Sequence, residues 1–334
     1  MFTRDLRVFP SLAYRSPRWY VVINMCDKMP KSYRFSAIVL VFASIVPNCL
    51  GQGEPYPGKS PPRPGVPSIT RPGDKNAEQL VRMSMTADVA KIIPGNPFLL
   101  AFVFDVEPLW HVYWENAGSS GAPTEISIKA PAGYIVGRTL FPRPQTIITS
   151  DGPCYGYENQ TVLFVEITPP SNAVLQASFT ADVSWLVCKD ICKMGSDKAT
   201  LVLPVGDAAL PGGKSLEIDP AIERFKSRLP KVADPATNVT TAFDGTSLTI
   251  TMPAGSATTA EFFPNPSPGV VFGEAVTELK GQRLHTIVPV TLEPNNAMGK
   301  AMHLAGVIGA GQSLDDPCFA FDVPLTAEGK PVRN

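Results

Sequence analysis

The sequence predicts an all-β protein, with two β-sandwiches in tandem after a signal peptide and a Pro-rich linker. Three observations carry that expectation. Short segments of strand-like composition recur from residue 77 onward. Turn-forming residues punctuate them in the manner of sandwich proteins. Proline is abundant, at 35 residues, and charged residues make up only 18%, a balance that suits turns and linkers better than helices. The 334 residues allow about two domains, and a hydrophobic content of 44% is enough for a core in each.

Along the chain, residues 1–51 read as an N-terminal extension and signal peptide. Lys31 and Arg34 precede the apolar run 35–46, which is short for a membrane span and suited to a signal core. Cleavage is expected before Gln52, with Cys49 and Gly51 as the small residues preceding it. Met25 or Met29 is the expected start. A lipid anchor on Cys49 is the alternative, although "VPN" before it is a poor signal for lipidation. Residues 52–76 are too rich in proline to pack and read as a tether. An exported protein sits where disulfides persist.

Residues 77–206 hold the first sandwich. "FLLAFVFDV" (98–106) and "TVLFVEI" (161–167) are strands by composition. "SFTADVSWLVC" (178–188) alternates, with Phe179, Ala181, Val183, Trp185 and Val187 on one face. Ser178, Thr180, Asp182, Ser184 and Cys188 fall on the other, with Leu186 as the exception. On that pattern Cys188 lies on a polar face and is expected to be accessible. "TLVLPV" (200–205) reads as the return strand. Residues 207–230 are a linker and a short helix, "PAIERFKSRLP" (220–230), opened by Pro220 and closed by Pro230. Residues 231–334 hold the second sandwich, with a hairpin turning at Asp244-Gly245 and strands in "LHTIVPVTLEP", "AMHLAGVIGAG" and "CFAFDVPL".

Composition excludes several functions. Net charge is −1 with no basic stripe, so no nucleic-acid partner is expected. No phosphate loop and no nucleophile-elbow motif occur, and there are three histidines in all, so neither a serine triad nor a bound cofactor is expected. Chemistry concentrates in "SWLVCKDICKMG" (184–195). Lys189-Asp190-Ile191 form a reversal short enough to bring Cys192 back opposite Cys188. A bridge closing so small a loop contributes modest stability. Lys189 and Lys193 favour thiolate, while Asp190 opposes them.

Three readings follow for Cys188 and Cys192: a redox pair, a structural bridge, or half of a soft-metal site for copper or zinc. The metal reading needs more ligands. Met194 and Cys154 are the nearest candidates, and Cys318 and His111 would serve only if the fold gathers them. Trp110, His111, Tyr113 and Trp114 form an aromatic cluster that reads either as core or as a cap over the cysteines. Tyr155 and Tyr157 either flank the pair or pack ordinarily. Gly118, Gly121 and Pro123 mark a turn.

Several ordered motifs resemble one family. "WHVYWENAGSSGAPTEISIKAPAGY" (110–134), "FPRPQ" (141–145), "YGYENQTVLFVEI" (155–167) and "WLVCKDIC" (185–192) are similar, in that order, to the amino-terminal, disulfide-bond-corrector-type domain of DsbD-like proteins. "AEFFPNP" (260–266) resembles the extra sandwich of the longer members. The resemblance implies a periplasmic immunoglobulin-like domain. It implies that Cys188 and Cys192 relay electrons from a membrane thiol reductase to periplasmic thioredoxin-like or disulfide-isomerase-like proteins. Cys154, Lys193, His111, Tyr155 and Tyr157 are the candidate auxiliary residues. Two departures stand out. "GSSG" (118–121) lacks the acidic residue many relatives carry before Ser-Gly, and Cys154 is not expected from the family pattern. No multi-helix membrane domain or thioredoxin domain is seen in this sequence, so a separately encoded reductase is expected. The rival expectation is a secreted binding module with a static Cys188–Cys192 bridge.

Overall fold

Ten strands build the first sandwich, counted along the chain. They are β1 (Val81–Ala87), β2 (Phe98–Val106), β3 (His111–Gly118), β4 (Glu125–Lys129), β5 (Ile135–Leu140), β6 (Gln145–Thr149), β7 (Gly152–Glu158), β8 (Gln160–Thr168), β9 (Gln176–Cys188) and β10 (Cys192–Pro204). They are seen in a computed structural model that describes residues 75–206, 218–293, 295, 301–326 and 329–332. The expected signal peptide, start methionine, tether and Cys49 lie outside the described residues.

One sheet runs β1-β2-β8-β5 and the other runs β10-β9-β3-β7-β6, with β4 also pairing β9. The expected alternation of β9 puts Phe179, Ala181, Val183, Trp185 and Val187 into the core between the sheets, facing Phe98, Leu100, Phe102 and Phe104 of β2. A helix α1 (Ala77–Leu80) precedes β1. It was not predicted, because four residues leave no periodicity to read. Asn76 and Gln79 form a capping box that holds it.

The helix near residue 220 forms as expected. It is α2 (Pro220–Ser227), with the Asp219 side chain accepting from the Ala221 N–H. Its Ile222 and Phe225 cover the outer face of the β1-β2-β8-β5 sheet at Ala101, Val103, Val162 and Phe164.

The second sandwich comprises β11 (Lys231–Val232), β12 (Thr240–Phe243), β13 (Ser247–Pro253), β14 (Ala260–Pro264), β15 (Val270–Phe272), β16 (Val276–Lys280), β17 (Arg283–Leu292), β18 (Met302–Ala310) and β19 (Cys318–Leu325). Its sheets run β11-β19-β18-β14 and β12-β13-β17-β15, with β16 also on β17. The Asp244-Gly245 turn joins β12 to β13 as expected, and the Asp244 carboxylate accepts the Thr246 and Ser247 backbone N–H groups.

The two sandwiches share buried surface. Phe263, Val307 and Cys318 extend the core of the first. The Arg143 side chain of "FPRPQ" is wholly buried, and it donates to the carbonyls of Ala310, Gly311 and Ser313 and to the Glu261 carboxylate at 2.7–2.9 Å. Gly309 makes room for it: a Cβ there would lie 2.4 Å from Arg143 Cζ.

Candidate functional site

The β9–β10 hairpin turns through Lys189, Asp190 and Ile191, and Cys188 and Cys192 stand opposite each other in register. Their Cα atoms are 4.2 Å apart and their sulfurs are bonded. The return strand therefore starts at Cys192 and runs far longer than the 200–205 segment first legible as strand.

The two sulfurs differ in environment. Cys192 is exposed, whereas Cys188 is only 2% exposed. This corrects the expectation that Cys188 is accessible. Alternation does place it on the outer face of its sheet, but that face is covered there. The covering chain comes from β3. Its His111 and Val112 pair with Cys188 and Val187, and then β3 leaves β9, whose edge is taken up again by β4 from Ser184 onward. Against β7 the register breaks between Tyr113 and Gly118. Such irregularities re-aim side chains. Beside the break, the Tyr113 side chain packs on Cys188 and carries its hydroxyl toward Cys192.

Alternation splits the aromatic cluster accordingly. Val112 and Trp114 enter the core, while Tyr113 joins Cys188, Ala117 and Cys154 in a small cluster. The Tyr113 hydroxyl lies 4.0 Å from Cys192 Sγ. Burial pushes this phenol up to about 12, with Cys154 and Asp151 adding and a hydrogen bond from Ser120 opposing. Tyr113 therefore stays protonated, and a donor, at neutral pH. Gly121 lets the segment close on the ring. It sits at φ +109°, and a Cβ there would lie 2.3 Å from Tyr113 Cζ. His111 is buried and edge-on to Tyr113 at 5.0 Å. Burial lowers its pKa, with Glu158 opposing. Trp110 stands beside the hairpin tip, in an open groove of about 450 Å³ that Lys189, Asp190 and Ile191 also line.

The remaining candidates fall as follows. Lys193 points to the opposite face from Cys192, toward the Lys75 carbonyl and over the Trp110 ring at 5.9 Å. Tyr155 packs on Trp114 and Phe263, and the Tyr157 hydroxyl donates to the Pro142 carbonyl. Both belong to the core side, so ordinary packing accounts for them. Met194 is 84% exposed. Cys154 is buried beside Ser120. It does not pair with Cys318, which is buried and donates to the Arg228 carbonyl. Cys154 and Cys318 are thus both free thiols, and burial pushes Cys318 up to about 11. Nor does the fold gather the soft-metal set: Cys188 and Cys192 are bonded to each other, and no cluster of three or more His, Cys, Asp or Glu suited to a metal occurs among the described residues. Sequence reasoning missed Ser120 and gave Tyr113 no separate role. The one signal was the position of both within the "YWENAGSSG" motif.

Comparisons with known proteins agree with this architecture. Residues 78–204 match the family model described as thiol:disulfide interchange protein DsbD, N-terminal. The crystal structure of the N-terminal periplasmic domain of ScsB from Proteus mirabilis superposes with a TM-score of 0.50 at 16% identity, covering 77% of this chain and 96% of that chain. That likeness concerns the fold. A family 123 glycoside hydrolase from Clostridium perfringens (TM-score 0.21, 9% identity, 36% of this chain and 27% of that one) and Spo0M from Bacillus subtilis (0.19, 11%, 52% and 78%) carry no argument. Comparison with curated protein sequences gives no match. Residues 78–204 are thus a domain of the DsbD amino-terminal type, the family that the motifs of this segment resemble.

Proposed function

We propose that this protein is an exported thiol–disulfide exchange module, relaying electrons from a membrane thiol reductase to periplasmic thioredoxin-like or disulfide-isomerase-like proteins through Cys188 and Cys192. Residues 77–206 form its redox domain and 231–334 its supporting sandwich. One observation carries the reading: within a segment that matches the DsbD amino-terminal family, the hairpin tip holds a bonded cysteine pair with one cysteine exposed and the other buried.

The asymmetry supports one order of events. A partner's thiolate attacks the open Cys192 Sγ. The Cys188–Cys192 bond breaks, a mixed disulfide forms at Cys192, and Cys188 leaves as thiolate and takes up a proton. The partner's second thiolate then attacks its own sulfur in the mixed disulfide and releases Cys192. Two electrons have entered this domain and the partner is oxidised. In the forward relay the Cys192 thiolate attacks a target disulfide, and Cys188 resolves the product. Exchange of this kind requires thiolate and access.

The test is the equilibrium reduction potential of the Cys188–Cys192 pair, read by thiol trapping across a dithiothreitol series. The expected value lies well above about −300 mV, where structural bridges of secreted proteins fall below. A value below that limit would make the bridge a brace and the protein a binding module.

A further inference from the structure

We propose that Tyr113, Ser120 and Cys154 form a hydrogen-bond relay ending on Cys192 Sγ, in which Tyr113 stabilises the Cys192 thiolate and the buried Cys154 thiol acts as a positioning group rather than a third redox cysteine. The inference rests on the exchange reading and names residues that sharpen it.

The contacts run in series. Cys154 Sγ lies 3.4 Å from Ser120 Oγ and 3.5 Å from the Ser120 carbonyl. The chain beside Ser120 packs on the Tyr113 ring, where a Cβ on Gly121 would lie 2.3 Å from Tyr113 Cζ, and the Ser120 hydroxyl favours the ionised phenol as a hydrogen-bond donor. The Tyr113 hydroxyl faces Cys192 Sγ at 4.0 Å. When the single Cys154 S–H turns from the Ser120 and Gly152 carbonyls to Ser120 Oγ, the protons all point one way: Cys154 S–H to Ser120 Oγ, Ser120 O–H to Tyr113 Oη, and Tyr113 O–H to the Cys192 sulfur. A chain so aligned polarises each successive donor, and a hydrogen bond to the charged form favours that form.

Other charges do not replace this donor. Lys193 is on the far face, and Lys189 and Asp190 share the turn with opposite signs. On β3, His111 is buried with its basicity lowered, and Glu158 opposes that. Asp151 acts on Tyr113 from the β6–β7 turn. Of the groups on these elements, the phenol alone brings a proton to within hydrogen-bond range of Cys192 among the described contacts.

Geometry also separates Cys154 from the bridge. It pairs with Gly118, at the other end of the β3 irregularity from His111, the residue paired with Cys188. The Tyr113 side chain belongs to the cluster that joins the two.

The experiment uses the full chain, chemically reduced, and follows iodoacetamide alkylation of Cys192 against pH by peptide-resolved mass spectrometry. Wild type is compared with Tyr113→Phe, Ser120→Ala, Cys154→Ala and Cys154→Ser, with denaturation midpoints as the folding control. At pH 7 the alkylation rate is expected to fall about tenfold in Tyr113→Phe, which corresponds to one pH unit in the midpoint. A smaller fall is expected in Ser120→Ala and Cys154→Ala, with recovery in Cys154→Ser, whose hydroxyl can donate. Unchanged profiles in folded Tyr113→Phe and Ser120→Ala would overturn the relay. So would a Cys154–Cys192 disulfide in the oxidised wild type. A relay that fails while the pair keeps a potential well above −300 mV leaves the exchange reading standing. A low potential with an intact relay overturns the exchange reading instead.

Discussion

The hairpin tip and the Arg143 junction are opposite solutions to holding chain segments together. At the tip, one covalent bond joins residues four apart, and one of the two cysteines is exposed. At the junction, a buried guanidinium reaches three carbonyls and a carboxylate from residues more than a hundred positions away. A short-loop disulfide removes little freedom from the unfolded chain, about 2 kcal/mol for a loop of about five residues. Breaking a buried ion pair costs about 3–5 kcal/mol, because it strands what remains. The covalent link is therefore the weaker brace. On the exchange reading, stability and chemistry reside in different places, and opening the pair costs the fold less than losing the junction would.

Arg143→Ala tests the strong side of the contrast. It should lower unfolding stability by about 3–5 kcal/mol, read from urea denaturation, and should leave the potential of the cysteine pair nearly unchanged in whatever fraction stays folded. A loss below about 1 kcal/mol would mean that the junction contributes little. Cys188→Ser tests the weak side. It should abolish exchange with a dithiol partner while costing no more than about 2 kcal/mol; a cost as large as that of Arg143→Ala would erase the comparison.

The smallest expected effect is the pH dependence carried by His111. Its folded pKa lies below its ordinary value because burial penalises the cation. Below about pH 6.5 the unfolded chain then binds more protons than the folded one, so stability falls as pH falls. His111→Gln should flatten this slope between pH 7.5 and 5.5 in denaturation midpoints, and an unchanged slope would assign the dependence to other groups.

Among the long strands of the first sandwich, β9 was legible because its alternation is strong, and β2 and β8 because their apolar runs are long, whereas β10 was legible only from residue 200 onward. The α2 helix and the Asp244-Gly245 turn were legible from local chemistry. Strands β4 to β6 and β14 to β16 were not, being short and only partly buried. The site was half legible. Spacing placed Cys192 opposite Cys188, but alternation tells only which face a residue takes, not what covers it. The cover comes from a register break in β3 that no local pattern encodes. The role of Arg143 was not legible either: nothing in "FPRPQ" marks the arginine as buried, and its partners come from another sandwich.

The empty space at Gly309 makes two distant positions answerable to each other. It is the doorway through which the Arg143 side chain enters, and any side chain placed there would shut it. A substitution at 309 would do the damage of losing the arginine without touching it, evicting a cation from its four acceptors. The pair should therefore tolerate joint replacement better than replacement of the glycine alone.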